Sequence, residues 1–326
     1  MKQRKLPVTD LLPVCTLLLV VIFFSIFSGG KILTPHNMSS VVDQSLTVMI
    51  GGMGMIFVLC HGGIDLAIGS LACLASFIAA MTAMPYGIVP VFLAAIATGV
   101  VSGFLTGLIA AKFKVPSFMV TVALQTGIRG IANYLSTTSG ILLASTELQK
   151  FNKLSVKLPF VLILLAVMWY VFEYTRLGKY SRAIGENELC CKISGINVVK
   201  IKMIDFMICG AIAGIAGIFM MARTGGASNM LGKGFELRVI MALFLGSVPV
   251  VGGMDSKMFK VVIGALTVII LENGLSVSGI SGGLYQLIEG IMMIAMCVLT
   301  AYVKKKVSLR DEKELLKLNE AKTEEA

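Results

Sequence analysis

Polar and charged side chains inside long apolar runs are the residues of this sequence that could do chemistry. They are Asp65, Arg129, Asn133 and the adjacent pair Glu272 and Asn273. A charged group at membrane depth is costly and normally has a partner or a function. The candidate path for a polar solute therefore consists of Asp65, Arg129, Asn133 and Asn273.

Each of these residues also has a structural interpretation. Asp65 follows two glycines that allow a sharp bend, and capping of the next helix is favoured over solute contact. Arg129 can line a hydrated path with Asn133, or lie near a helix end with its charge at the interface. Glu272 and Asn273 can hydrogen-bond between helices, which is the commoner role of such residues.

Enzyme chemistry is not indicated by any motif. There is no nucleophile–base pair, no pair of carboxylates and no P-loop, and the only histidines are His36 and His61. The seven cysteines are scattered without the spacing of a metal site. We therefore predict no catalytic residue, no metal site and no cofactor bound by this chain. If ATP drives its function, ATP and Mg²⁺ bind to another chain.

The composition predicts an all-α polytopic membrane protein. Of the 326 residues, 56% are hydrophobic and only 14% are charged. Apolar windows of about 20 residues recur, and each can cross a bilayer core. We predict about ten transmembrane helices in a single membrane domain, residues 1–303, followed by a charged cytoplasmic tail, residues 304–326. Glycines such as Gly210, Gly214 and Gly217 are expected to let helices approach closely.

The net charge of +10 follows the positive-inside pattern of membrane proteins. Basic clusters at the N-terminus and at 112–114, 176–202, 257–260 and 304–313 fall on one side of the predicted spans. Both termini are therefore expected in the cytoplasm, with outer loops at 136–157 and 223–236. The basic residues are not interleaved with aromatic ones, so nucleic acid is not an expected partner.

A broken helix is predicted near residues 60–66. The apolar sequence from Val41 to Met84 is long enough for two spans but contains no hydrophilic loop. The chain can turn at CHGGIDLAIGS, residues 60–70. Gly-Gly-Ile-Asp at 62–65 returns as Gly-Gly-Met-Asp at 252–255. This echo can mark two structural repeats, as in many transporters, or arise by chance.

Residues 176–202 form the longest polar and basic interruption between apolar spans. Asn187 is expected to cap a short helix that ends near Gly195. Leu189, Ile193 and Ile196 then share one apolar face. Such a helix can lie in the membrane interface or dock into a groove of a partner, and composition does not decide between the two.

Five stretches in order resemble the ribose-type sugar permeases of bacterial ABC importers, which are related to branched-chain amino-acid permeases. The stretches are residues 62–70, 115–135, 178–198, 246–253 and 265–281. The resemblance covers roughly residues 40–303. It implies a multi-pass permease of the bacterial cell membrane, working by alternating access as a homodimer or a pair of related permeases. It also implies two ATP-binding subunits and an extracytoplasmic solute-binding protein as partners, in contact with membrane lipid.

The resemblance further implies that the segment matching Gly185–Gly195 is a coupling helix that docks on the ATP-binding subunit. This chain has Cys190, Cys191 and Lys192 where the family usually has two alanines and an arginine, and Arg238 replaces a common acidic residue. The expected coupling residues are Arg182, Gly185, Glu186, Asn187, Leu189, Ile193 and Gly195.

Two further functions remain open at this stage. One is a secondary transporter or channel that works without ATP, with Asp65, Arg129 and Glu272 coupling to an ion. The other is an importer permease for a nucleoside or an autoinducer sugar.

Overall fold

The computed structural model describes residues 8–82, 84–140, 142–250 and 252–280, together with scattered positions between 284 and 302. Its helices are α1 Val8–Phe27, α2 Pro35–Cys60, α3 Ile68–Thr82, α4 Ile88–Gly107, α5 Ser117–Ser139, α6 Thr146–Lys150, α7 Leu154–Tyr174, α8 Arg176–Glu186, α9 Glu188–Ile193, α10 Val198–Thr224, α11 Phe235–Leu245 and α12 Met258–Val277. A π-helical turn, Leu108–Lys112, extends α4.

The predicted all-α membrane fold is confirmed. Within the described residues, six helices are long and apolar enough to cross a membrane: α1, α2, α4 with its π-helical extension, α7, α10 and α12. Three further predicted spans correspond to the shorter α3 and α11 and to the more polar α5. The last predicted span, residues 284–302, and the tail, residues 304–326, lie largely or wholly outside the described residues. The count of ten stays a prediction.

The predicted break between two spans is confirmed. Helix α2 ends at Cys60, and α3 begins at Ile68. Gly62 has a left-handed backbone with φ of 80°, a conformation that glycine adopts without steric cost. The chain therefore turns within residues 61–67 with no hydrophilic loop.

Two predicted outer loops meet in a short antiparallel pair of strands. Strand β1, Leu142–Leu143, pairs with β2, Gly226–Ala227, and Leu142 lies opposite Ala227. The pairing places the two loops at one end of the helix bundle.

The predicted loop 136–157 is too long, because α7 already begins at Leu154.

Lys157 is fully buried, and its Nζ donates to the backbone oxygen of Asp43 at 2.7 Å and to Asp43 Oδ1 at 3.0 Å. A buried ammonium group is tolerated when it is paired and hydrogen-bonded in this way. This pair joins α7 to α2.

Helix α2 is the central helix of the described core. It packs against α7, α10, α11 and α12, and every residue from Ser45 to Cys60 is buried. The sequence cannot show this directly, since the hydropathy of α2 is ordinary for a span.

Among the described helices, α4 and α10 make the most extensive contact. A side chain on Gly103 would overlap the carbonyl oxygen of Phe206, and one on Gly210 would overlap that of Gly99. Gly214 lies against α4 in the same way, and Gly217 lies against α3. The expectation that these glycines permit close approach is confirmed.

This packing predicts that two glycine-to-alanine changes differ in their effect on stability. Gly103→Ala should lower stability by about 1–3 kcal/mol, because the added methyl group overlaps backbone atoms of α10. Gly127→Ala, whose methyl group would meet nothing within 4 Å, should leave stability unchanged or raise it by up to about 1 kcal/mol. Thermal unfolding in detergent measures both, and equal effects would contradict the packing.

Candidate functional site

The short helix predicted within residues 176–202 is present as α9, Glu188–Ile193. The side chain of Asn187 accepts a hydrogen bond from the Cys190 backbone at 3.0 Å, which makes it the N-cap. Gly195 follows the helix with φ of 80°, as expected of a terminating glycine. The predicted cap and stop are both confirmed.

Helix α9 presents apolar side chains to its surroundings. Leu189 and Ile193 are 66% and 79% exposed, and their spacing of four residues places them on one helix face. Ile196 is half-buried, and Cys191 is buried beside Ile184 and Val198. The helix is thus anchored on its Cys191 side and leaves Leu189 and Ile193 uncovered.

Glu188 ties α9 to α10. Its carboxylate is bonded to Lys192 on the same helix and to Lys202 of α10, the latter at 2.7 Å. These two hydrogen bonds lower the pKa of Glu188 to about 2, so the carboxylate stays ionised at neutral pH.

Arg182 is buried rather than presented to a partner. Its guanidinium pairs with Glu173 Oε2 at 2.9 Å and donates to the carbonyl of Phe172 at 3.2 Å. It also lies over the Phe172 ring. Arg182 therefore fixes the corner between α7 and α8.

Gly185 and Glu186 join α8 to two glycine-containing turns. A side chain on Gly185 would overlap the Cys60 carbonyl oxygen, which accepts a hydrogen bond from the Gly253 backbone at 2.8 Å. Glu186 Oε1 accepts a hydrogen bond from the Met254 backbone at 2.7 Å. The two Gly-Gly-x-Asp turns noted in the sequence therefore meet beside α8.

The break between α2 and α3 is held by the start of α5. The Ile64 backbone donates to Ser117 Oγ at 3.2 Å, and its carbonyl accepts from Thr121 Oγ1 at 3.3 Å. Asp65 is buried, and its Oδ1 accepts from the Ala67 backbone at 2.9 Å. Asp65 thus closes a turn that leads into α3, close to the predicted capping role but before the N-cap position itself.

Helix α5 carries a stripe of polar side chains at every fourth residue. These are Ser117, Thr121, Gln125, Arg129 and Asn133. The first two hold the break, and the last three line an open cleft of about 690 Å³ together with Glu236 and Asn229. The stripe is the sequence signal that would have identified Thr121 and Gln125, which sequence reasoning missed.

Arg129 and Gln125 bind the opposite wall of this cleft. Arg129 donates to the carbonyls of Asn229 and Leu231 at 3.1 and 2.9 Å, and Gln125 donates to Glu236 Oε1 at 2.9 Å. Asn133 is exposed in the cleft. Of the predicted path residues, the structure therefore brings Arg129 and Asn133 together.

Asn273 lies elsewhere. Its amide and that of Asn37 donate to each other at 2.7 and 2.9 Å, which joins α12 to α2. Its neighbour Glu272 pairs with Arg238 of α11 at 2.9 Å. Both residues thus hold helices together, the interpretation that the sequence favoured for them.

The chain is similar to known permease proteins. Residues 37–297 match the family model described as branched-chain amino acid transport system / permease component. The ribose import permease protein of Escherichia coli strain K12 is 34% identical, over 86% of this chain and 90% of that protein. The xylose transport system permease protein of Haemophilus influenzae is 30% identical, over 88% and 94%.

No solved structure matches this chain. The family match extends over most of the sequence and includes α2, the break, α5, the α8–α9 segment and α12. The chain therefore belongs to the permease family of the branched-chain amino acid transport system.

Proposed function

We propose that this protein is the membrane-spanning subunit of an ATP-driven importer for a monosaccharide or a similar small polar solute. The family and the spans support a transport subunit. Relatives are described as import permease proteins for ribose and fructose and as a permease protein of a xylose transport system, which supports a sugar as solute. ATP and Mg²⁺ would bind to a partner subunit in the cytoplasm of a bacterial cell, where both termini would also lie.

The exposed apolar pair Leu189 and Ile193 is the observation that carries this proposal. Two large apolar side chains on a capped helix, uncovered beside charged residues, suit insertion into a groove of a partner. Glu188 and its two lysines keep the helix in place, so that force on α9 reaches α10. Helix α9 would thus be the coupling helix.

A continuous set of contacts links α9 to the polar cleft. The α8–α9 segment touches the Cys60 carbonyl through Gly185. Four residues after Cys60, the backbone of Ile64 is hydrogen-bonded to Ser117 and Thr121 of α5. The same helix carries Gln125 and Arg129. Movement of the coupling segment would therefore shift the polar stripe, as alternating access requires.

The pathway would run along the exposed face of α5, closed by a second permease subunit. Thr126 and Asn133 on this helix are exposed, and exposed polar side chains are poorly suited to lipid. A solute-binding protein would deliver the solute at the end of the molecule that carries the loops 140–153 and 225–234.

An ATP-independent transporter with Asp65, Arg129 and Glu272 as coupling groups receives no support from the geometry. Asp65 closes a turn, Arg129 binds two carbonyls, and Glu272 pairs with Arg238. Solute uptake that continues after depletion of ATP would support the ATP-independent transporter and contradict the importer.

Docking through α9 predicts the behaviour of a double variant. The double variant Leu189→Ala, Ile193→Ala should reduce the amount of ATP-binding subunit that co-purifies at least about tenfold, because two large apolar side chains are no longer available for burial in the partner. Leu143→Ala, at a residue 77% exposed in a predicted outer loop, is the control and should have no effect. Undiminished co-purification of the double variant would contradict docking through this face.

Transmission through Glu186 predicts a difference between two variants. Glu186→Ala removes the carboxylate that accepts the hydrogen bond from the Met254 backbone. The amount of solute imported per ATP hydrolysed should then fall about tenfold, while the ATP-binding subunit still co-purifies. Glu186→Gln keeps an oxygen acceptor and should retain most coupling. Transport assays in proteoliposomes measure both. Equal transport by the two variants would exclude this hydrogen bond from coupling.

A pathway along α5 predicts water access to its polar face. In a background without native cysteines, Asn133→Cys should react with a membrane-impermeant thiol reagent at least about tenfold faster than Ile163→Cys, because thiolate formation requires water. Ile163 is 68% exposed on α7, where we expect lipid. Equal labelling rates would show that the two faces have the same environment.

A further inference from the structure

A second cavity, of about 530 Å³, lies between α9 and the start of α5. It shares no lining residue with the polar cleft. Its walls come from the α2–α3 break at His61–Gly63, the π-helical turn and the loop to Ser117, helix α9, and the first turns of α10. The cavity therefore lies on the side of the molecule that carries the coupling segment.

The charge of this cavity is strongly positive. Three lysines line it, Lys114, Lys192 and Lys202, and Glu188 is the one acidic residue among its lining residues. The Glu188 carboxylate is already hydrogen-bonded to two of these lysines. Positive charge thus remains in excess, although the carboxylate is ionised.

The backbone around Lys114 has an unusual conformation. Lys114 has φ of 56°, in the left-handed region that side chains other than glycine rarely adopt. The preceding residues, Leu108–Lys112, form a π-helical turn, and such turns and strained residues occur often at functional sites. The ion pairs among the described residues do not include Lys114. Its ammonium group therefore lines the cavity without a carboxylate partner.

The start of α5 also favours an anion. The 23-residue helix α5 begins at this cavity with no side-chain cap, and a helix N-terminus carries a partial positive charge. His61 also lines the cavity; its side chain is 3% exposed, and its buried Nε2 has no hydrogen-bond partner among the residues that the structure describes. Asp205 Oδ2, at 3.8 Å, is beyond hydrogen-bond distance. An occupant with several acceptor oxygens would satisfy the ammonium groups of the cavity and the first backbone N–H groups of α5 together.

We propose that this cavity binds an anionic phosphate group, bridging Lys114 at the start of α5 and Lys192 on the coupling helix. Several separate ammonium groups suit an anion with three or more acceptor oxygens. The headgroup of an anionic lipid and a soluble phosphate ester share this chemistry. A bound phosphate would tie the coupling helix to the polar helix α5.

Binding to the purified full-length protein tests the site. The probes are dihexanoyl-phosphatidylglycerol, dihexanoylglycerol, which lacks the phosphate, and inorganic phosphate, with affinity measured by native mass spectrometry and calorimetry. We expect Lys114→Gln to weaken binding of the phosphate-bearing probe about tenfold. Lys112→Gln makes the same charge change two residues away, at an exposed lysine that does not line the cavity, and should change affinity less than twofold.

The outcomes separate the sources of the phosphate. Binding of phosphatidylglycerol alone assigns a lipid headgroup, and competition by inorganic phosphate assigns a soluble ester. If Lys114→Gln does not fold, Lys192→Gln on the exposed helix α9 takes its place with the same expected loss. The proposal is overturned if neither phosphate probe binds, if dihexanoylglycerol binds equally well, or if Lys112→Gln weakens binding as much as the cavity variants.

Discussion

The Cys60 carbonyl is the point at which α8, the α2–α3 break and the Gly252–Gly253 turn meet. It is the last carbonyl of α2, where the helix no longer supplies a partner, and a buried carbonyl needs a donor. The Gly253 backbone supplies that donor at 2.8 Å. Gly185 and Gly252 both lie so close to this oxygen that a side chain on either would overlap it. The α2–α3 break, the Gly252–Gly253 turn and helix α8 are therefore fixed relative to one another.

The polar residues inside the bundle divide into two groups by whether they border a cleft or a helix break. One group is paired across helices: Lys157 with Asp43, Arg182 with Glu173, and Asn273 with Asn37. Such pairs satisfy groups that would be costly alone. The other group follows the α5 stripe and faces a cleft or the break. This difference in surroundings, rather than polarity itself, distinguishes the polar residues that hold helices together from those that are candidates for contact with the solute.

The two cavities border different turns of one helix, α5. The start of α5 borders the basic cavity beside α9, and its later turns border the polar cleft with Arg129 and Glu236. In the proposed importer, α5 is thus the element through which events at the coupling helix reach the solute path. A phosphate in the basic cavity would act on the same helix and would thereby control that connection.

The sequence by itself determined the features that depend on local chemistry. Apolar length indicated the spans, the Asn187 cap and Gly195 stop defined α9, and the two glycines at 62–63 marked the break. Only the tertiary structure decided which polar residues are partners, because Asn37 and Asn273 or Gln125 and Glu236 are distant in the chain. It likewise decided that Arg182 is buried while Leu189 and Ile193 are exposed. Burial depends on how helices pack against one another. The residue types and the helical period of one helix do not show which neighbours will cover it.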